Sequence, residues 1–338
     1  MRPALQQRPR RQPSEGILEQ LSDRVIGQPQ AMTQIVPYVE MYQAGLAPEG
    51  RPAGVFLLLG PTGTGKTRTV EALAEVLHGN PKNLVRIDCG EFQMEHEIAK
   101  LIGAPPGYLG HRETTPLLTQ NKLSACTSEA NSLALVLFDE IEKAAPSLTR
   151  LLLGVLDKAV LRLGDNTSVN FERTLIFLTS NLGAREMHKA LHPGFGFEAM
   201  NGPVRREAGK KLDAIGMHAV RRRFSPEFLN RVDAVITYRP LDDASLATIL
   251  DQQIAELEKH IANRLAERAF VLEVAQDARE FLLKKGTSAE YGARELKRII
   301  LRHLTQPLAA MITNGRIAPG ALVHAEAGYD MLRFCAFP

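Results

Sequence analysis

Gly60-Pro61-Thr62-Gly63-Thr64-Gly65-Lys66-Thr67 has the form G-x-x-x-x-G-K-[ST]. The apolar run Val55–Leu59 precedes it and the helical stretch Arg68–Leu77 follows, so the octapeptide sits between a strand and a helix, as this pattern requires. Glycines let successive backbone N–H groups converge on phosphate oxygens, where a Cβ would intrude. The positive end of the following helix adds to the attraction. In such a loop Lys66 reaches the β- and γ-phosphates, and the Thr67 hydroxyl ligates Mg²⁺.

Outward from this loop, short apolar runs recur at Leu84–Asp88, Leu133–Asp139, Leu175–Ser180 and Ala234–Tyr238, with helical segments such as Ile17–Leu21 and Ala31–Gln43 preceding them. The alternation predicts an α/β domain with a parallel sheet covered by helices on both faces. A phosphate loop needs carboxylates nearby. The run Leu133–Phe138 ends in Asp139-Glu140, which puts two acids at the carboxyl edge of the sheet, where α/β folds bind ligands. Asp139 is expected to hold Mg²⁺ through water, and Glu140 to orient and polarise the attacking water. Asn181, after the run Leu175–Ser180, is expected to help place that water.

The chain has 338 residues, enough for about two domains. Its 44% apolar and 23% charged residues are ordinary for a globular protein and exclude collagen-like, coiled-coil and largely disordered classes. With 41 Lys+Arg against 38 Asp+Glu the formal charge is +3, which gives no reason to expect nucleic acid or an acidic membrane as partner. No apolar stretch approaches the ~20 residues needed to span a bilayer, and no apolar segment backs the N-terminal arginines as in a secretory signal. The cysteines Cys89, Cys126 and Cys335 are far apart, form no metal-ligand spacing, and fit a reducing cytoplasm. Residues 1–15, rich in Arg, Gln and Pro, read as a disordered basic tail. Residues 16–239 read as the nucleotide-binding domain. After Pro240 the pattern becomes mostly helical (Ala244–Leu265, Ala275–Lys285, Ala293–Ile312), so residues 240–338 are expected to form a small helical domain ending in a short polar/apolar tail.

Seen together, Val25-Ile26-Gly27-Gln28, the phosphate loop, Leu101–Gly110 (LIGAPPGYLG), Leu135–Ala144 (LVLFDEIEKA), Thr179–Gly183 (TSNLG), Ser225–Asp233 (SPEFLNRVD) and Tyr291–Arg298 (YGARELKR) resemble the Clp ATPases of the AAA+ superfamily. They follow the order found in the second ATPase domain of ClpB and ClpA, over about residues 17–325. The resemblance implies ATP and Mg²⁺ as cofactors, a homo-oligomeric ring (a hexamer) with ATP at the subunit interfaces, a protein substrate, an optional adaptor and a cytoplasmic location. It implies further that Val25 and Ile26 contact adenine and that Asn181 is the residue called sensor 1. By the same match Arg231 reaches into a neighbour's site, Arg294 is sensor 2 on the small domain, and Tyr108 is the pore-loop aromatic that grips polypeptide. The chain reads as one ATPase module, with no room for the N-terminal domain, first ATPase ring or coiled-coil middle domain of ClpB.

Two stretches depart from the family. After Gly110 the sequence runs His111-Arg112-Glu113-Thr114-Thr115-Pro116 instead of an aromatic or acidic, Gly-rich segment, and Glu172 stands where the family has Arg, with Arg173 one place later. Phe195-Gly196-Phe197 is a loose match to the tripeptide with which Clp unfoldases dock on the peptidase ClpP, and local packing is the favoured reading of it. The expected function is an ATP-hydrolysing protein-remodelling motor of unfoldase type. The alternative is a nucleotide-switched scaffold that threads nothing. A DNA-directed role is disfavoured by the lack of a helix-turn-helix pattern or a basic excess.

Overall fold

The computed structural model describes residues 16–103, 116–191, 203–287 and 292–337. Two helices open the chain, α1 (Ile17–Arg24) and α2 (Pro29–Gln43). β1 (Gly54–Leu59), α3 (Lys66–His78) and β2 (Val85–Asp88) follow, then the short α4 (Ile98–Ile102) and α5 (Gln120–Ala125). Next come β3 (Ala134–Asp139), α6 (Pro146–Lys158), the hairpin strands β4 (Val160–Arg162) and β5 (Ser168–Asn170), and β6 (Thr174–Ser180). Helices α7 (Ala184–Leu191), α8 (Pro203–Arg223) and α9 (Pro226–Leu229) lead to β7 (Ala234–Thr237).

β2, β3, β6, β1 and β7 form, in that order, one five-stranded sheet, and every pairing in it is parallel. β1, β6 and most of β3 are buried along their length, as a strand covered on both faces must be. Their side chains alternate between two hydrophobic clusters. Val55, Leu57, Val136, Phe138, Ile176 and Leu178 face one way, with Leu148 and Leu152 of α6. Phe56, Leu58, Leu135, Leu137, Leu175 and Phe177 face the other, with Ile35 of α2 and Val70 and Leu73 of α3. The order places β6 between β3 and β1. The residues that follow these three strands, Glu140, Asn181 and Gly60, therefore emerge side by side at one edge of the sheet.

Beyond Pro240 lie α10 (Asp243–Leu265), β8 (Val271–Val274), α11 (Gln276–Gly286), α12 (Ala293–Ile300), a π-helical turn (Leu301–Thr305), α13 (Gln306–Thr313), β9 (Leu322–Ala327) and β10 (Leu332–Phe337). They close on a third cluster that includes Leu250, Ile254, Leu282, Leu296, Leu304 and Val323. The expected helices are present. The polar/apolar tail, however, is part of a three-stranded sheet, with β8 parallel to β9 and β9 antiparallel to β10. The hairpin of β4 and β5 is likewise an element the sequence reading did not contain.

Candidate active site

The phosphate loop is shaped from beneath by Tyr238, the residue that follows β7. Gly60 stands at φ 140°, and a Cβ there would come within 2.5 Å of the Tyr238 carbonyl oxygen. The Tyr238 hydroxyl donates to Thr69 Oγ1 of α3 at 2.8 Å, so the tyrosine also anchors the helix behind the loop. Gln28, 4% exposed, is a second clamp. Its Nε2 donates to the carbonyls of Thr64 (3.1 Å) and Arg239 (2.8 Å), and its Oε1 accepts the Arg239 N–H. On the opposite side, Gly65 (φ 104°) precedes α3, and nothing lies within 4 Å of where its Cβ would be. The loop is thus packed from below and open above, the shape of a cradle for an anion arriving at a helix N-terminus.

Lys66 closes this cradle. It is 8% exposed, and its ammonium donates to the Gly60 carbonyl (2.6 Å), the Pro61 carbonyl (2.9 Å) and Asn181 Oδ1 (2.8 Å). Burial pulls its pKa down to about 8, against the opposing pull of Glu142, Asp139 and Glu140, while Arg294 adds to the lowering. Loop carbonyls and one amide are weak acceptors for a buried cation. A phosphate oxygen is a stronger one, so the group is suited to an incoming polyphosphate.

Three carboxylates face the lysine. Asp139 ends β3, where its Oδ2 pairs with Arg86 Nη2 at 2.6 Å and its Oδ1 accepts the Thr179 hydroxyl. Glu140 has a left-handed backbone at φ 57°, a strained state for a residue with a Cβ. Its N–H donates to Thr179 Oγ1 at 3.0 Å and its side chain pairs with Lys143. Asn181 Nδ2 donates to Glu140 Oε1 at 3.3 Å, so a single amide joins Glu140 to Lys66. Glu142 accepts the Asn181 N–H at 3.0 Å, and its second oxygen is buried without a hydrogen-bond partner among the described residues.

Lys66, Asp139, Glu140 and Asn181 line a cavity of about 470 Å³, a size that suits a small-molecule ligand. Thr62–Thr67, Asp139, Glu140 and Asn181 form its phosphate end, together with Arg86. Val25 and Ile26 line it from the end of α1, and Ile249, Gln252 and Arg294 line it from α10 and α12. Gly60 and Pro61 lie beneath it and act through their carbonyls. Two hydrogen bonds join its walls, from Gln252 Nε2 to the Asp23 carbonyl (2.7 Å) and from the Ala293 N–H to the Gly63 carbonyl (3.2 Å). The hydroxyl of Thr67 and the carboxylate of Asp139 are hard oxygen donors, the set that Mg²⁺ takes when nucleotide phosphates supply the rest of its shell. The residues present therefore fit a magnesium nucleotide.

Arg231 is absent from this cavity. It lies two residues past α9, where its Nη1 donates to the Glu227 carbonyl (2.8 Å) and its guanidinium faces Asp157 (Nε–Oδ1 3.6 Å). Tyr108, His111–Thr115 and Phe195-Gly196-Phe197 lie outside the described residues. Gln28, Arg86 and Glu142 are site residues that the sequence reading gave no role. The nearest signals were the position of Gln28 at the end of VIGQ and the spacing of Glu142 two places after Glu140.

Comparison with known families and structures agrees with this geometry. Residues 51–235 match the AAA domain (Cdc48 subfamily), and residues 241–325 match the C-terminal, D2-small domain of ClpB protein. The chaperone protein ClpB of Meiothermus ruber is 38% identical over 320 residues, 95% of this chain and 35% of that protein. That of Rhodopseudomonas palustris is 40% identical over 95% of this chain and 34% of its own length. The chain thus spans about a third of these relatives. Among solved structures, Hsp104 in its closed state with ATPγS and FITC-casein superposes with a TM-score of 0.77 at 28% identity, over 95% of this chain and 51% of that one. The extended Saccharomyces cerevisiae Hsp104–casein complex superposes at 0.79 and 27% identity, over 95% and 52%. No described helix is long and apolar enough to cross a membrane. An α/β sheet with a phosphate loop, an Asp-Glu pair at the neighbouring strand end and a ClpB-type C-terminal part place this chain in the AAA ATPase family, as a module similar to the second ATPase domain of ClpB.

Proposed function

We propose that the chain is the motor of an ATP-driven protein-remodelling ring. The observation that carries this reading is the hydrogen-bonded series Lys66–Asn181–Glu140 at the mouth of the cavity. It joins the group suited to the γ-phosphate to the group suited to the attacking water. Bound Mg²⁺-ATP supplies a labile anhydride whose charge the metal partly neutralises. Around it, the loop N–H groups and Lys66 would bind phosphate oxygens, and Thr67 and, through water, Asp139 would hold the metal. Glu140 orients a water and receives its proton as the γ-phosphoryl transfers to the water oxygen, giving ADP and phosphate. Asn181 keeps Glu140 in line through Nδ2. Val25 and Ile26 take the base.

The placement of Arg231 supports a site completed by a neighbouring subunit, because this guanidinium does not reach the cavity of its own chain. Such an arginine is worth roughly 10³–10⁵ in rate in other nucleotide hydrolases. Residues 16–239 and 240–338 are the two bodies of the proposed motor. Arg294, on the second body and at the cavity, is the contact through which loss of the γ-phosphate changes the angle between them. Tyr108 is the proposed polypeptide grip. The likeness to ClpB and Hsp104 supports a homo-hexameric ring acting on unfolded protein.

The test uses two variants. Glu140→Gln should bind ATP, assemble and trap substrate without turnover. Tyr108→Ala should keep ATPase activity and lose remodelling of an unfolded model protein such as casein. Remodelling that survives Tyr108→Ala contradicts threading and supports a nucleotide-switched scaffold instead.

A further inference from the structure

The strained backbone of Glu140 must be held by its surroundings, since a left-handed non-glycine residue relaxes unless neighbours over-determine it. Part of the restraint is local. Thr179 accepts the Glu140 N–H, and the Lys143 N–H donates back to the Glu140 carbonyl at 2.9 Å. The rest comes from Arg223, 81 residues beyond Glu142. Its Nε and Nη2 both donate to the Glu142 carbonyl (3.0 and 2.9 Å), and Nη2 also donates to the Ala144 carbonyl (2.9 Å). One planar guanidinium thus spans the turn that begins at Glu140, and an ammonium lacks that planar, multi-donor geometry.

Arg223 is itself fixed. It is the last residue of α8. The next residue, Phe224, stacks on Phe228 of α9 with ring centroids 5.1 Å apart, and both rings are buried in the same cluster as Ile141 and Ala144. The Ser225 hydroxyl accepts the Phe228 N–H and caps α9. Arg223 therefore works from a rigid corner and grips main-chain atoms of the turn, and it leaves the Glu140 carboxylate at the cavity.

We propose that Arg223 is a positioning residue for hydrolysis: it holds the Glu140–Ala144 turn so that the Glu140 carboxylate is aligned for attack, without touching nucleotide. The proposal rests on the ATPase reading above. A misplacement near 1 Å can cost on the order of 10²-fold in rate while leaving binding intact. Removing Arg223 should therefore lower kcat and spare affinity.

The experiment measures steady-state ATPase kinetics, binding of a fluorescent ADP analogue and thermal unfolding for the wild-type chain, Arg223→Ala, Arg223→Lys and Glu140→Gln. Expected for Arg223→Ala is a kcat lower by about tenfold or more, with KM and the ADP Kd within about twofold of wild type. Arg223→Lys, able to reach a carbonyl without spanning both, should fall between the two. An unchanged kcat in Arg223→Ala overturns the proposal, as does a loss confined to KM and Kd. If Arg223→Ala shows no cooperative unfolding, Arg223→Lys decides: an intermediate kcat supports the role and a wild-type kcat overturns it. A wild-type chain that hydrolyses no ATP refutes the functional reading itself. An active wild type with a dead Glu140→Gln and an unaffected Arg223→Ala refutes the Arg223 role alone.

Discussion

Gly60 combines two constraints that exclude a side chain, a φ of 140° and a carbonyl oxygen where a Cβ would stand. Gly60→Ala should cost about 1–3 kcal/mol from the backbone alone, with the steric clash adding to it, measurable as a lowered denaturation midpoint in urea. The three thiols make a separate test. Cys89 is fully buried, and burial beside Asp139 and Asp88 drives its thiol far above the usual range. Cys126 is half-buried with its pKa raised by burial, and Cys335 is exposed on β10. A thiol reagent at neutral pH should label Cys335 first and leave Cys89 unmodified until the protein unfolds, as read by peptide mass. Rapid labelling of Cys89 in the native protein would contradict the packing around β2. At this scale the sequence singled out Lys66, Asp139, Glu140 and Asn181 through their motifs, and the structure brings all four to one cavity. The sequence did not disclose Gln28, Glu142 or Arg223, because their roles consist of hydrogen bonds to main-chain atoms distant in sequence, and no local pattern encodes such a partner.

The elements that were legible are those whose burial imposes a pattern. β1, β3 and β6 lie under helices on both faces and read as continuous apolar runs. β8, β9 and β10 are half-exposed and have few inward residues; β10 buries Leu332 and leaves Cys335 and Phe337 in solvent. β8 pairs with β9 from about 50 residues away, a partner that no local pattern announces, and the β9–β10 hairpin offers only a short, half-exposed alternation. The junction of α3 with β3 offers a pH test. His78, the last residue of α3, meets the Leu133 carbonyl through Nε2 (3.0 Å) and Ser128 Oγ through Nδ1 (3.2 Å). Burial lowers its pKa below the ordinary 6.5, the Leu133 carbonyl opposing this. The unfolded chain therefore binds the proton first, and stability should fall as pH drops through about 6.5 toward the native pKa. His78→Gln should weaken that dependence in denaturation series at pH 7.5 and 5.5. An equal slope in both proteins would remove His78 as its source.

For the whole molecule, the cavity is built by residues as far apart as Val25 and Arg294, and it closes only because β6 brings Asn181 between the phosphate loop and Glu140. Arg231 remains outside, two residues past α9. In the proposed ring Arg231 completes a neighbour's site, and Arg231→Ala should lower kcat by about 10³-fold or more while leaving ATP binding intact. That loss would appear in turnover assays beside unchanged nucleotide binding; a variant with near-normal turnover would show that Arg231 serves only its contacts with Glu227 and Asp157. The most direct test of the central claim is specific ATPase activity per chain against protein concentration, with oligomer size measured on the same samples. Activity should be nearly absent in monomer and rise in step with ring formation. Full activity in samples that remain monomeric would contradict a site shared between neighbouring copies.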